Sequence, residues 1–215
     1  MASVNKKALL KFAGLFLLAY VVLLGLSLQF GQHYVEFLLP LYRWEIGLLF
    51  PDFNIASLAL TTDRGEEVVA LNLNLIRYTV LVGQVLHPGG SVSSSTLAGH
   101  ALQHPLVMLS LLVALPVSNI QHRIALLFMA VPLLLLVEML DVPLVLLGSI
   151  EDLILANVSP TADSFLVSWM NFMNGGGRLA LSIVAALAAY GSGRILSRTW
   201  LSLEAKIQSK RLMCS

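Results

Sequence analysis

The chain has 215 residues, 57% of them hydrophobic and 12% charged, with a mean hydropathy of +0.83 and a formal net charge of +1. Soluble domains carry about 25% charged residues, so this composition points to an integral membrane protein. A near-neutral chain lacks the concentrated basic face of nucleic-acid binders, and a single cysteine, Cys214, excludes a disulfide framework or a cysteine metal cluster.

The first apolar run, ALLKFAGLFLLAYVVLLGLSLQF, covers residues 8 to 30. About 20 helical residues cross a hydrocarbon core of roughly 30 Å, so it is long enough to span. Lys6, Lys7 and Lys11 at its start place the N-terminus in the cytoplasm by the positive-inside rule. The run exceeds a signal-peptide core and LSLQFGQ offers no small-x-small cleavage site, so it reads as a retained anchor.

GQHYVEFLLPLYRWEIGLLFPDF follows, and Phe30 to Phe53 hold seven of the 17 aromatics beside Glu36, Arg43 and Glu45. Aromatics mixed with a few charges suit the membrane–water interface. Pro40 interrupts the segment, predicting one or two short helices along the outer surface, with a plain extension of the first helix as the alternative.

Between residues 54 and 76 the period becomes two. Val69, Leu71, Leu73 and Leu75 share one face and Ala70, Asn72 and Asn74 the other, and Asp63-Arg64-Gly65 has the chemistry of a hairpin turn. A lone hairpin is marginal in water. The face carrying Leu71 and Leu73 therefore needs a cover: the amphipathic helices, the bilayer surface or a partner. HPGGSVSSST, residues 87 to 96, reads as a flexible loop, and Ser93, Ser94 and Ser95 there have no GxSxG or SxxK motif to make a nucleophile.

A second span is expected over 103 to 119, a third over 124 to 150, and a last in RLALSIVAALAAYGSGRIL, which begins at Arg178. An outer loop with Glu151, Asp152 and Asp163 would fill 149 to 177, ending in the Gly175-Gly176-Gly177 hinge. The expected fold is mainly α: four transmembrane helices, an interfacial amphipathic segment and a small extracytoplasmic β-hairpin. The parts divide as 1–30, a cytoplasmic N-terminus and first span; 31–102, the outer segment with hairpin and loop; 103–198, three spans; and 199–215, a basic tail. With both termini in the cytoplasm, nine of the 13 basic residues fall inside, which supports the orientation in a bacterial inner membrane. No internal repeat suggests an inverted-repeat transporter.

Two constellations carry possible chemistry. Glu138 and Asp141 interrupt PLLLLVEMLDVPLVLLG, where an Asp at the centre of a membrane helix costs about 3 kcal/mol. Entry near Ile124 would put them roughly 21 and 26 Å up a core of about 30 Å, on one helix face. They could pair with an outer-side arginine such as Arg178, meet a partner's basic residue, or form a cation or proton site. His100 and His104 in HALQH, spaced i,i+4, could take Cu or Zn, although the Glu of HExxH is missing. In the last span, Ala180, Ala185, Ala186, Ala188, Ala189, Gly191 and Gly193 permit close helix packing.

The order of parts resembles the exosortase H-associated membrane proteins of bacteria, through RWEIGLLFPDFNIASLAL, VVALNLNLI and HPLVMLSLLVALPVSNIQHR, over about three quarters of the chain. That resemblance implies an accessory role beside a membrane sorting transpeptidase. The transpeptidase needs Cys, Arg and His, and the only cysteine here is Cys214, so the enzymatic role does not transfer. The leading expectation is a non-enzymatic accessory subunit in a hetero-oligomer with a larger membrane protein. Its rivals are an outward-facing metal protein or metal-dependent enzyme subunit using His100 and His104, and a small transporter whose acids face a wet path.

Overall fold

A computed structural model of the protein describes residues 6–81, 84–117, 119–158 and 164–213. Cys214 and Asp163 lie outside the described residues.

Helix α1 runs unbroken over Lys6–Leu49, 44 residues or about 66 Å. The expected surface helices over 31–53 are therefore a continuation of the first helix. Pro40 sits on the exposed face, where water can serve the carbonyl it leaves free. The opposite face buries Gly31, Val35, Leu38, Tyr42, Glu45 and Ile46 at helical spacing, and that packing carries the helix through the proline.

The hairpin forms as β1 (Phe53–Asp63) and β2 (Glu66–Leu75), antiparallel and joined through Arg64 and Gly65, both at positive φ. The hairpin is not alone. Residues expected to be a flexible loop form β5 (Ser91–Leu97), which pairs with β2 in the order β1-β2-β5. A short ribbon, β3 (Thr79–Leu81) with β4 (Gln84–Leu86), joins β2 to β5. The register sets Leu73 opposite Val92 and Val69 opposite Thr96, so the serine-rich strand supplies just enough inward apolar surface to pair.

Helix α2 (Ala98–Ala114) follows, then α3 (Ile120–Val158), α4 (Phe165–Phe172), a π-helical turn (Met173–Gly177) and α5 (Arg178–Met213). The expected outer loop over 149–177 is largely helix. Helices α4 and α5 run antiparallel to α3, Ser164 just before α4 meeting Glu151 and Gly193 of α5 meeting Leu126. Gly176, at φ 113°, takes the left-handed conformation that lets the chain kink between α4 and α5.

Three helical stretches, Lys6–Leu49, Ile120–Asn157 and Phe165–Leu196, are long and apolar enough to cross a membrane; α2, at 17 residues, is shorter. The expectation of four full-length spans is corrected to three plus one short apolar helix.

Two apolar cores result. In the upper one, Leu71 and Leu73 pack with Leu38, Tyr42 and Ile46 of α1 and with Leu146, Leu147 and Ile150 of α3. The lower joins Met108 and Leu112 of α2, Leu126 and Ala130 of α3, and Ala185, Ala186 and Ala189 of α5. The sheet's apolar face is thus covered by the chain's own helices, and Leu71 and Leu73 are wholly buried there, away from any partner.

Candidate functional site

Where the two cores meet, the helices bring together a layer of buried polar side chains. Asp141 of α3 is its hub. Arg178 Nε donates to both carboxylate oxygens of Asp141, at 3.0 and 2.8 Å, and His104 Nε2 lies 2.9 Å from Oδ2. A carboxylate only accepts, so Nε2 carries the proton in this pair. The other ring nitrogen, Nδ1, is 2.9 Å from Ser182 Oγ, which in turn donates to the Arg178 carbonyl at 2.8 Å. Arg178 Nη1 donates to Asn174 at 2.9 Å, and its Nη2 is buried with no hydrogen-bond partner. One carboxylate thereby ties α2, α3 and α5 together.

Glu138, one turn earlier on α3, is held separately. Tyr34 and Tyr42 of α1 donate to its two oxygens, each at 2.8 Å. The two tyrosines are eight residues apart on the buried face of α1 and close on the carboxylate from both sides. Asp141 and Glu138 thus fasten all four long elements within one layer, and both are fully buried. Trp169 of α4 adds a bond from its indole N–H to the Leu140 carbonyl at 2.7 Å, close to Pro143, which cannot donate to the helix ladder.

The structure brings Arg178 to Asp141 but not to Glu138. His100 and His104 do not act as a pair: His104 is taken up by Asp141 and Ser182, and His100 Nδ1 lies 3.1 Å from Thr96 Oγ1. Among the described residues there is no group of three or more His, Cys, Asp or Glu placed to hold a metal ion. Ser182, His104 and Asp141 contain the side chains of a hydrolytic triad, but with the ring nitrogens exchanged relative to that arrangement. Ser182 is wholly buried, its hydroxyl already bonded on both sides, which leaves no room for a substrate carbonyl. Ser93 and Ser95 stand exposed on the outer sheet face, while Ser94 turns inward and donates to the Leu146 carbonyl at 3.0 Å.

Sequence reasoning missed Tyr34, Tyr42, Ser182 and Asn174. The signal for the tyrosines was present: they fall in register with Gly31, Val35, Leu38 and Ile46 once α1 is read as one helix. Ser182 is one turn from Arg178, but neither its spacing nor its neighbours distinguish it from a packing serine.

Comparison with family models, with curated proteins and with solved structures finds no match to this chain.

Beyond the polar layer, the upper half of α1 shows a second face. Phe37 is 76% exposed, Trp44 61% and Leu48 66%, and their spacing places them on one stripe together with Pro40. The stripe continues downward into Leu26 and Phe30, both exposed.

Proposed function

We propose that the protein is a non-enzymatic accessory subunit of a membrane complex, which docks a larger membrane protein along the exposed stripe of α1. The observation that carries this reading is the pairing of two faces on one helix. One face of the upper α1 is locked into the core through Leu38, Tyr42 and Ile46, while the other leaves Phe37, Trp44 and Leu48 uncovered. Contiguous exposed aromatic surface of this kind is typical of interfaces, and Trp and Phe are common binding anchors. The polar side chains that could have supported chemistry are bonded to one another inside the bundle, which favours a scaffold over an enzyme.

In this reading α1, α2, α3 and α5 cross a bacterial cytoplasmic membrane. Lys6, Lys7, Lys11, Arg123 and Arg194 are on the cytoplasmic side and the sheet is outside, as the positive-inside rule favours. The 17 residues of α2 reach about 25 Å, close to the thickness of a hydrocarbon core of roughly 30 Å. The resemblance to exosortase H-associated proteins suggests a membrane sorting transpeptidase as the partner.

Deleting the hairpin would strip the cover from α1 and α3, so surface substitutions make the cleaner test. The protein carrying Phe37→Ala and Trp44→Ala should fold with unchanged thermal stability in mild detergent and lose its stoichiometric co-purifying partner. A partner retained in full by the double variant would sink the docking face.

A further inference from the structure

The Ser182 hydroxyl has a single proton, and the Arg178 carbonyl 2.8 Å away can only accept it. Ser182 Oγ is then left with lone pairs for the His104 ring, so Nδ1, at 2.9 Å, is the donor in that contact. Across the ring, Nε2 donates to Asp141, a carboxylate that takes the Arg178 Nε–H on both oxygens. A ring that donates from both nitrogens is an imidazolium. The neutral ring has to accept the Ser182 proton at Nδ1, which removes the bond to the Arg178 carbonyl.

Glu138 holds the balancing charge. Tyr34 and Tyr42 each donate to one of its oxygens, as hydroxyls do to an ionised carboxylate. A protonated Glu138 would turn its own proton on one hydroxyl and leave that tyrosine's proton without its acceptor. The layer therefore contains two carboxylates, Asp141 and Glu138 from α3, and two cations, Arg178 from α5 and His104 from α2. All four are buried, and buried charges persist where they are paired and hydrogen-bonded. Tyr34 and Tyr42 of α1 also face this layer, as does His100 of α2, which lies within electrostatic reach of Arg178, Asp141 and His104 and is held through Nδ1 by Thr96 of β5.

We propose that His104 is a proton-binding site and works as a proton-operated latch on α2. With protons on both nitrogens, the ring ties α2 to Asp141 of α3 and Ser182 of α5 at once, and the layer carries no net charge. When Nδ1 gives its proton to bulk water, Ser182 must turn its hydroxyl to the ring and release the Arg178 carbonyl. The layer is then left with one uncompensated negative charge, and the hold on α2 weakens. Strand β5 runs directly into α2 at Leu97 and Ala98, so the state of the latch reaches the sheet. The proposal needs only the layer itself and stands apart from the docking stripe on α1.

The experiment is nitrogen NMR of the full chain in lipid bilayers at neutral pH, with labelled histidine and the ring signals assigned through their backbone correlations. Both ring nitrogens of His104 are expected at the shift of protonated nitrogen. Ser182→Ala removes the acceptor of Nδ1 while leaving every charge in place, and Glu138→Gln removes the balancing charge while leaving Ser182 in place. Each substitution should move the Nδ1 signal to the unprotonated range and leave Nε2, held by Asp141, where it was. A structural serine or glutamate that merely packs the bundle would not move that signal. One unprotonated ring nitrogen in the unsubstituted chain would overturn the latch, and so would an imidazolium that survives either substitution.

Discussion

Removing the carboxylate of Asp141 strands two proton-bearing groups at once, the Arg178 guanidinium and the His104 ring, both buried where water cannot replace the lost acceptor. Breaking a buried pair from one side costs about 3–5 kcal/mol, so Asp141→Ala should lower the thermal midpoint of the detergent-solubilised protein sharply. Glu138→Gln is milder: the amide keeps one acceptor for Tyr34 or Tyr42, and the expected loss is about 1 kcal/mol. Equal destabilisation by the two variants would contradict the separate roles assigned to the acids. Glu45 gives a pH signature of its own. It belongs to the part of α1 beyond the expected span of residues 8–30, and burial pushes its carboxyl up to about 7 from an ordinary value of 4.5. The folded state then holds this proton more tightly than the unfolded state, so its contribution is most favourable below about pH 4.5 and declines as pH rises to about 7. Glu45→Gln should flatten that part of the stability–pH profile, measured by thermal unfolding in detergent; a slope unchanged by the substitution would assign it to another group.

At the scale of elements, the close approach of α5 to α3 depends on Gly193, where a Cβ would sit 2.8 Å from Leu126 Cα. Backbone cannot swing aside as a side chain can, so Gly193→Ala should force the helices apart and cost about 1–3 kcal/mol, read as a lower unfolding midpoint. Gly191→Ala, two residues away with nothing within 4 Å, serves as its control. The elements also show what the sequence could and could not convey. The hairpin was legible because Val69, Leu71, Leu73 and Leu75 alternate without exception and Gly65 marks the turn. β5 was hidden because a Ser-rich strand has no apolar period: its place is fixed by pairing with β2, which is a long-range contact. Pro40 left two readings of α1 open, surface helices or a plain extension, and the extension holds because burial on the opposite face outweighs a local cost of about 3 kcal/mol. Asp141 and Glu138 were conspicuous as charges in an apolar run, but their partners lie 37 to 104 residues away in the chain, and only the packed helices bring those groups together.

At the scale of the whole molecule, the proposed function places the apolar lower bundle in the bilayer and the sheet outside, held up by the extensions of α1 and α3. The orientation is testable with a single engineered thiol. Ser93 is exposed on the outer sheet face, so Ser93→Cys in a Cys214→Ser background should react with a membrane-impermeant maleimide in intact spheroplasts; labelling only after lysis would invert the topology. In the proposed function the stripe on α1 faces another membrane protein. Replacing Trp44 with a photoreactive phenylalanine analogue and irradiating native membranes tests this without disturbing the core. A discrete adduct of one defined mass containing a second membrane protein is the expected product, whereas adducts with lipid alone, or none, would rule out the stripe as a docking face.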